Sequence, residues 1–479
     1  VRLELQPKPG EHLADLLFAA GVEFPCGGES NCGGCRVRVV DGNVPPTDQM
    51  RQVISEEDLA AGWRLACTAE STGPVTVEIE QWTARILTDD QSVALEPRNG
   101  FGAVVDLGTT TLVVQQVDLA TGEVLGVETA LNPQARYGAD VMSRIQYDLQ
   151  HPGVLTDLIR RELGAMLRRL AQDDVLAEIL LVGNTAMHHL FCGLSVEPLA
   201  SVPFESPTLG AVPFKSADLD WPGPSTFLPN LGGFVGSDLL AGIIATGLDE
   251  SSRVTALFDI GTNGEIVVGS HRKIVCASTA AGPAFEGGRI SNGMRAGTGA
   301  IDSVHPVDAG FECRVIGGTT ARGICGSGLV DAVAASRQLG YVQANGRVTL
   351  QGRVVQLAAG VTLTQADFRE LQLAKGAMAA GLKMLSALKP EKLYLAGAFG
   401  NYIRQASATA IGLLPQNCPV EPVGNSALRG ARMLLLSPNA RQQRLTRLLE
   451  RTTHVELAAD PGFQDLFAES MILEPYALV

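Results

Sequence analysis

Four cysteines stand near the start of the chain: Cys26, Cys32 and Cys35 within CGGESNCGGC, and Cys67 within RLACTA. Four thiolates in this pattern match the ligand number of a [2Fe–2S] cluster. Structural zinc is the nearest competitor, although its ligands usually come as two short pairs rather than three in one loop with a lone fourth. Unliganded thiols are the remaining reading. The neighbouring Gly27, Gly28, Gly33 and Gly34 suit a loop that must bring several backbone N–H groups close to the sulfurs of a bound cluster. The other cysteines, Cys192, Cys276, Cys313, Cys325 and Cys418, are dispersed and are expected to serve as small buried hydrophobes. An odd count of nine, unevenly placed, argues against a disulfide framework.

A second group of residues suits phosphate. Asp106-Leu-Gly-Thr-Thr-Thr111 and Asp259-Ile-Gly-Thr-Asn-Gly264 each put a carboxylate at a strand end, then a glycine where phosphate can approach the backbone, then hydroxyl or amide groups. Gly108, Thr109 and Thr110 in the first turn, and Gly261, Thr262 and Asn263 in the second, are the expected phosphate contacts. Asp106 and Asp259 are expected to hold Mg²⁺ through water or to position water directly. One such turn is an ordinary hairpin. Two in register, with a later glycine turn in LAGAFGN at 395–401, point to phosphate binding more strongly than to plain hairpins.

The flanking patterns predict the elements that carry these residues. HLADLLFAA at 12–20 has helical spacing, RVRVVDG and VTVEIEQ alternate like strands, and SEEDLAAG reads as a short capped helix. Together they predict an α+β domain over 1–82, followed by a polar linker over 83–100. From 101 to 479 the texture is α/β. The apolar strand, acidic turn and second apolar strand at 103–124 recur at 254–275, which predicts a duplicated domain with halves at about 101–250 and 251–440 and a helical, Arg-rich tail.

Composition narrows the class. The chain has 479 residues, 46% of them hydrophobic, and a net charge of −14, which argues against broad contact with nucleic acid. No apolar run approaches the ~18 residues that span a bilayer. The opening VRLELQPKPG lacks a basic segment followed by an apolar core, so a cytoplasmic protein is expected.

PCGGESNCGGCRVRV with RLACTA resembles a [2Fe–2S] ferredoxin domain of the β-grasp fold, with adrenodoxin-like x5 spacing. Only VRLEL precedes the helix, where ferredoxins of this fold begin with a hairpin. The two acidic turns with LAGAFGN resemble the duplicated, RNase H-like ATPase fold of the acetate and sugar kinase–Hsp70–actin superfamily. In that resemblance Gly397 and Gly400 match the adenosine turn, Ala398 stands where a glycine is often found, and VGNTAMHH at 182–189 falls at the first connecting motif. Asp238 in GGFVGSDLLAGI is expected to orient the attacking water, its alternative being a helix N-cap. His188 and His189 are expected to be ordinary helix-start residues, since no third metal ligand lies nearby.

The combination of the two domains, with NPQARYGADVMSRI, VGNTAMHHL and TAAGPAFEGGRISNGMRAGTGAI, resembles the reductive activators of corrinoid-dependent methyltransferases along nearly the whole chain. That resemblance implies ATP-dependent transfer of one electron to Co(II) of a corrinoid protein or methyltransferase. It also implies an upstream electron donor, and a homodimer is a further expectation. Arg136 and Asp140 are expected either to touch the partner or to order the following helix. The alternatives are a small-molecule kinase with a regulatory cluster, an activator of radical dehydratases, whose cluster ligands lie inside the ATPase fold, and a redox chaperone of the Hsp70 type.

Overall fold

A computed structural model of the chain describes residues 2–8, 12–19, 22, 35–71, 73–78, 95–138, 140–172, 174–202, 204–261, 263–308, 310–400 and 402–478. Its internal contacts divide it into two compact units. One comprises residues 1–84, 135–139 and 283–371, the other residues 85–134, 140–282 and 372–479.

In the first unit a four-stranded sheet has the order Arg2–Leu5, Val75–Glu78, Arg36–Asp41, Trp63–Leu65. The strand Arg2–Leu5 runs antiparallel to Val75–Glu78 at the sheet edge. Alternation in VTVE sends Val75 and Val77 into a core with Leu13 and Leu17 of the helix Leu13–Ala19, Val37 and Leu65. Ser55 caps the helix Glu56–Ala60, its hydroxyl accepting from the Asp58 amide at 3.1 Å. The same unit holds the three-stranded sheet Gly310–Val315, Ala300–Val307, Gly323–Ile324. The helix Gly326–Gln338 packs so closely on it that a Cβ at Gly328 would lie 2.1 Å from the Ile301 carbonyl oxygen. Between the parts of this unit, Arg136 pairs with Asp15 and the Arg322 guanidinium lies 4.0 Å over the Trp63 ring.

The second unit contains two six-stranded sheets. In the first, Val124–Leu131, Thr111–Asp118, Phe101–Leu107, Leu176–Gly183, Ser225–Phe227 and Val212–Phe214 lie side by side in that order. The other has Val420–Gly424, Leu393–Ala396, Thr255–Ile260, Gly264–Ser270, Lys273–Thr279 and Thr452–His454. The plan repeats. In each sheet the first three strands in sequence form an antiparallel meander, and the first of them also pairs in parallel with a strand that returns through a crossover. The parallel strands are buried along most of their length, as expected where both faces of a sheet are covered.

Two helices pack against each other beside these sheets, Ser237–Thr246 and Ser426–Leu436. Their sequences begin alike, Gly236-Ser-Asp-Leu-Leu-Ala-Gly242 and Gly424-Asn-Ser-Ala-Leu-Arg-Gly430. They meet at their small residues: a Cβ at Gly430 would fall 1.9 Å from the Ala241 carbonyl oxygen, and one at Gly242 would fall 3.0 Å from Ser426 Oγ. Residues 95–98 are pinned here as well. The Glu96 amide donates to the Leu436 carbonyl at 2.9 Å, and Arg98 reaches Glu178 and the Leu435 carbonyl, each at 2.8 Å.

Candidate nucleotide and metal sites

Adjacent strands bring two of the cysteines together. Cys35 immediately precedes the strand Arg36–Asp41, and Cys67 sits in the short 3-10 turn Ala66–Thr68 after the strand Trp63–Leu65, which pairs with it at Arg36 and Leu65. The Ala66 amide donates to the Cys35 carbonyl at 2.8 Å, and the two Sγ atoms come to 3.3 Å. That is too far for a disulfide, whose sulfurs lie about 2.05 Å apart. It is close to the edge of a tetrahedron around one metal, about 3.8 Å for metal–sulfur bonds of about 2.3 Å. The pair therefore suits two ligands of a single metal ion. Cys26 and Cys32 lie outside the described residues. Among the other thiols, Cys276, Cys325 and Cys418 are buried, and burial pushes Cys276 and Cys192 up to about 12, so both stay protonated.

The first acidic turn is closed by its own backbone, the Gly108 amide donating to the Thr111 carbonyl at 3.1 Å. A Cβ at Gly108 would sit 2.5 Å from that same oxygen, which is why glycine is required there. Three asparagines converge on this turn. Asn132 Nδ2 donates to the Gly108 carbonyl (2.9 Å), Asn184 Nδ2 to Thr109 Oγ1 (2.9 Å) and Asn425 Nδ2 to Asp106 Oδ2 (2.8 Å). In each case Oδ1 is occupied locally, accepting from the amide of Gln134 (3.0 Å), Met187 (2.9 Å) or Leu428 (2.8 Å). The last two bonds are N-caps, of the helices Thr185–Cys192 and Ser426–Leu436. Thr110 joins through its carbonyl, which accepts from the Asn132 amide at 2.8 Å.

In the second turn the Gly261 amide donates to the Asn263 carbonyl at 3.1 Å, and Thr262 lies outside the described residues. Gly397, with φ +86°, opens the one-turn helix Gly397–Gly400, and a Cβ there would lie 2.7 Å from Asp259 Oδ1. The glycine of the expected adenosine turn thus also makes room for the carboxylate of the second acidic turn. Asp238 is the second residue of its helix, whose N-cap is Gly236; its Oδ1 accepts from the Leu239 amide at 2.8 Å.

Asp106, Asp238 and Asp259 share one electrostatic environment, joined by Glu265 on the strand Gly264–Ser270. Burial pushes Asp259 up to about 7, and the Asp106 charge adds to the rise. Burial likewise takes Asp238 up to about 7, opposed by the Leu239 amide and reinforced by Asp106 and Asp259. Asp106 reaches only about 6, because the Asn425 amide favours its charged form. Glu265 is raised by burial and then by Asp238 and Asp259. Among the described residues, no three His, Cys, Asp or Glu side chains converge as a metal site on their own.

The remaining sequence candidates take structural places. His189 Nδ1 lies 2.8 Å from the Ser195 carbonyl and Nε2 2.7 Å from Ser206 Oγ, while His188 is buried edge-on to Phe227 and is lowered to about 4 by burial, so it stays neutral. Asp140 caps the helix Val141–Gln150 in a reciprocal box with Ser143. Sequence reasoning passed over Asn132, Asn425 and Glu265. The resemblance of 424–430 to 236–242 was the available signal for Asn425.

Comparison with known proteins places these features. Residues 1–72 match the family "2Fe-2S iron-sulfur cluster binding domain", residues 101–251 "RACo middle region", and residues 253–478 "C-terminal domain of RACo the ASKHA domain". The chain is 35% identical over 415 residues to "Corrinoid activation enzyme RamQ" of Eubacterium limosum, covering 77% of this chain and 69% of that protein. It is 26% identical over 433 residues to "[Co(II) methylated amine-specific corrinoid protein] reductase" of Methanosarcina barkeri, covering 78% and 79%. A solved structure described as "Reductive activator for corrinoid,iron-sulfur protein" superposes with a TM-score of 0.69 at 26% identity, covering 98% of each chain. A ferredoxin-like iron–sulfur domain joined to a duplicated ASKHA domain, matched along its length by these relatives, makes this chain a member of the family of reductive activators of corrinoid proteins.

Proposed function

We propose that this protein restores Co(I) in a partner corrinoid protein or methyltransferase by delivering one electron to Co(II), with ATP hydrolysis driving the cycle. The observation that carries the reading is the pairing, in one chain, of the convergent Cys35–Cys67 sulfurs with the half-buried carboxylates around two phosphate-type turns. When bound, a [2Fe–2S] cluster held by Cys26, Cys32, Cys35 and Cys67 supplies the one-electron chemistry, refilled by an upstream donor. Each ~59 mV of adverse potential lowers a one-electron equilibrium tenfold, so a modest gap leaves little Co(I) unless free energy is coupled in.

The second unit supplies that coupling. Gly108, Thr109, Thr110, Gly261, Thr262 and Asn263 would contact the phosphates of a bound nucleotide, and Gly397 and Gly400 would serve its adenosine. Asp106 and Asp259 would hold Mg²⁺ through water, and Asp238 would orient the water that attacks the terminal phosphate. Metal and phosphate binding favours the ionised carboxylates that burial otherwise disfavours. ATP can drive the partner's reduction only if its bound states differ in affinity for that partner or for one cobalt ligation state. The protein acts in the cytoplasm as a homodimer. Among the described residues no helix is long and apolar enough to cross a membrane.

The test mixes the reduced protein with a Co(II) corrinoid protein, with and without Mg-ATP, and follows the visible spectrum of Co(I). Co(I) formation that requires Mg-ATP supports the coupling, and nucleotide-independent formation removes it. ADP formation that depends on a small-molecule acceptor and ignores corrinoid protein would favour a kinase.

A further inference from the structure

Of the three asparagines on the first phosphate turn, Asn132 and Asn184 belong to the same half of the duplicated domain as the turn itself. Asn425 does not. It lies 319 residues along the chain from Asp106, between the edge strand Val420–Gly424 of the second sheet and the helix Ser426–Leu436. Its orientation is set by that position. The Leu428 amide requires an acceptor at Asn425, so Oδ1 turns into the helix and Nδ2 is left facing Asp106 Oδ2 at 2.8 Å. Asp106 is held just as firmly by its own sheet, registered between Val113 and Val182. One charge-assisted hydrogen bond therefore ties the two sheets together at their acidic ends.

We propose that Asn425 is a positioning residue that reports closure of the nucleotide cleft, its amide aligning the Asp106 carboxylate only when the second half stands in the closed arrangement. This rests on the ATPase reading above. The two helices, closest at Gly430 and Ala241 and joined by the Arg429 guanidinium, which donates to the Ala245 carbonyl at 2.6 Å, supply the pivot about which one half turns against the other. When the halves separate, Asp106 loses this donor while Gly108 and Thr109 keep theirs. Nucleotide binding and carboxylate alignment are thereby separable: the first half retains most of its turn geometry, and the second half completes it.

Asn425→Asp is the discriminating variant. Aspartate caps a helix as well as asparagine does, so the helix start is preserved, but it sets a second carboxyl group against Asp106 in place of the amide donor. Asn425→Ala removes both roles. Full-length protein is assayed for binding of a fluorescent ATP analogue, for steady-state ATP hydrolysis, and for protection from trypsin by a non-hydrolysable analogue. The expected result for N425D is a protein that still melts in one cooperative transition, nucleotide affinity and KM within about threefold of the wild type, kcat lowered at least tenfold (about 1.4 kcal/mol), and loss of the nucleotide-dependent protection. N425D with kcat within twofold of the wild type overturns the inference, as does a loss of kcat matched by an equal loss of nucleotide affinity. Wild-type protein that neither binds nor hydrolyses ATP refutes the ATPase reading itself, an outcome distinct from an N425D failure.

Discussion

Gly430→Ala probes the crossing of the two central helices. The added methyl would stand 1.9 Å from the Ala241 carbonyl oxygen and 2.4 Å from its carbon. Carbon and oxygen make contact at about 3.3 Å, so the helices must part by roughly 1.4 Å along that line. The obstacle is backbone within a helix, which cannot swing aside as a side chain can. Overpacking of a tight core costs about 1–3 kcal/mol, and a backbone clash belongs at the upper end. Replacing glycine by alanine in a helix returns about 1 kcal/mol. The net expectation is a loss of about 2 kcal/mol, and at roughly 2 °C per kcal/mol for a unit of this size, a melting temperature lower by about 4 °C. Gly376→Ala is the matched control. It too is inside a helix, but its nearest neighbours are Met471 Cγ at 3.2 Å, the Met471 amide at 3.4 Å and Phe467 Cε2 at 3.4 Å, which can give by a few tenths of an ångström. It is expected to match or exceed the wild type. The assay is thermal unfolding of nucleotide-free protein followed by circular dichroism, with ATP hydrolysis measured alongside, since displacement of the pivot should lower kcat. G430A melting at or above G376A would refute the argument.

Asp238→Asn tests the acidic cluster: the folded-state value of Asp238 is raised, so the folded chain binds more protons than the unfolded one between 3.8 and about 7, and stability falls as pH rises through that window. The variant should therefore melt higher than wild type at pH 8 but not at pH 4 in metal-free buffer, while hydrolysis drops at least a hundredfold. Cys67→Ala should abolish the visible absorption and electron paramagnetic resonance of the cluster, whereas Cys276→Ala, in a buried strand of the second unit, should retain both. Arg444→Ala removes a bidentate pair with Asp249 (2.7 and 2.9 Å) whose side chains are 15% and 7% exposed, and should cost about 3 kcal/mol in denaturant unfolding because the carboxylate is left stranded.

The features legible in the sequence are those that reside in short contiguous segments. Cys32 and Cys35 with their glycines, and the strand-turn-strand units ending at Asp106 and Asp259, announce themselves because spacing and alternation are local properties. The helix at 13–19 and the cap at Ser55 were readable for the same reason. The proximity of Cys35 to Cys67 was not, since it depends on the register of Arg36 with Leu65. Likewise the cradle of Asn132, Asn184 and Asn425 is assembled from three separate places, and each asparagine reads alone as an ordinary turn or cap residue. Glu265 escaped notice because alternation places it on a strand without indicating that Asp238 and Asp259 face it. Gly397 looked like a residue serving a ligand; only the fold reveals that it also yields space to Asp259.

The order of the strands bears on how the chain matures as it emerges from the ribosome. All six strands of the first large sheet lie between residues 101 and 227, so that sheet can be completed early in synthesis. Its counterpart is different: Thr255–Ile260 waits for Leu393–Ala396 to occupy its open edge, and the intervening segment 283–371 belongs to the other compact unit. During that wait a hydrophobic strand edge stands unpaired on the nascent polypeptide, the condition under which aggregation competes with productive folding. Slow translation across 283–371, or a chaperone held there, should therefore govern the yield of soluble product more strongly than any change in the early segments.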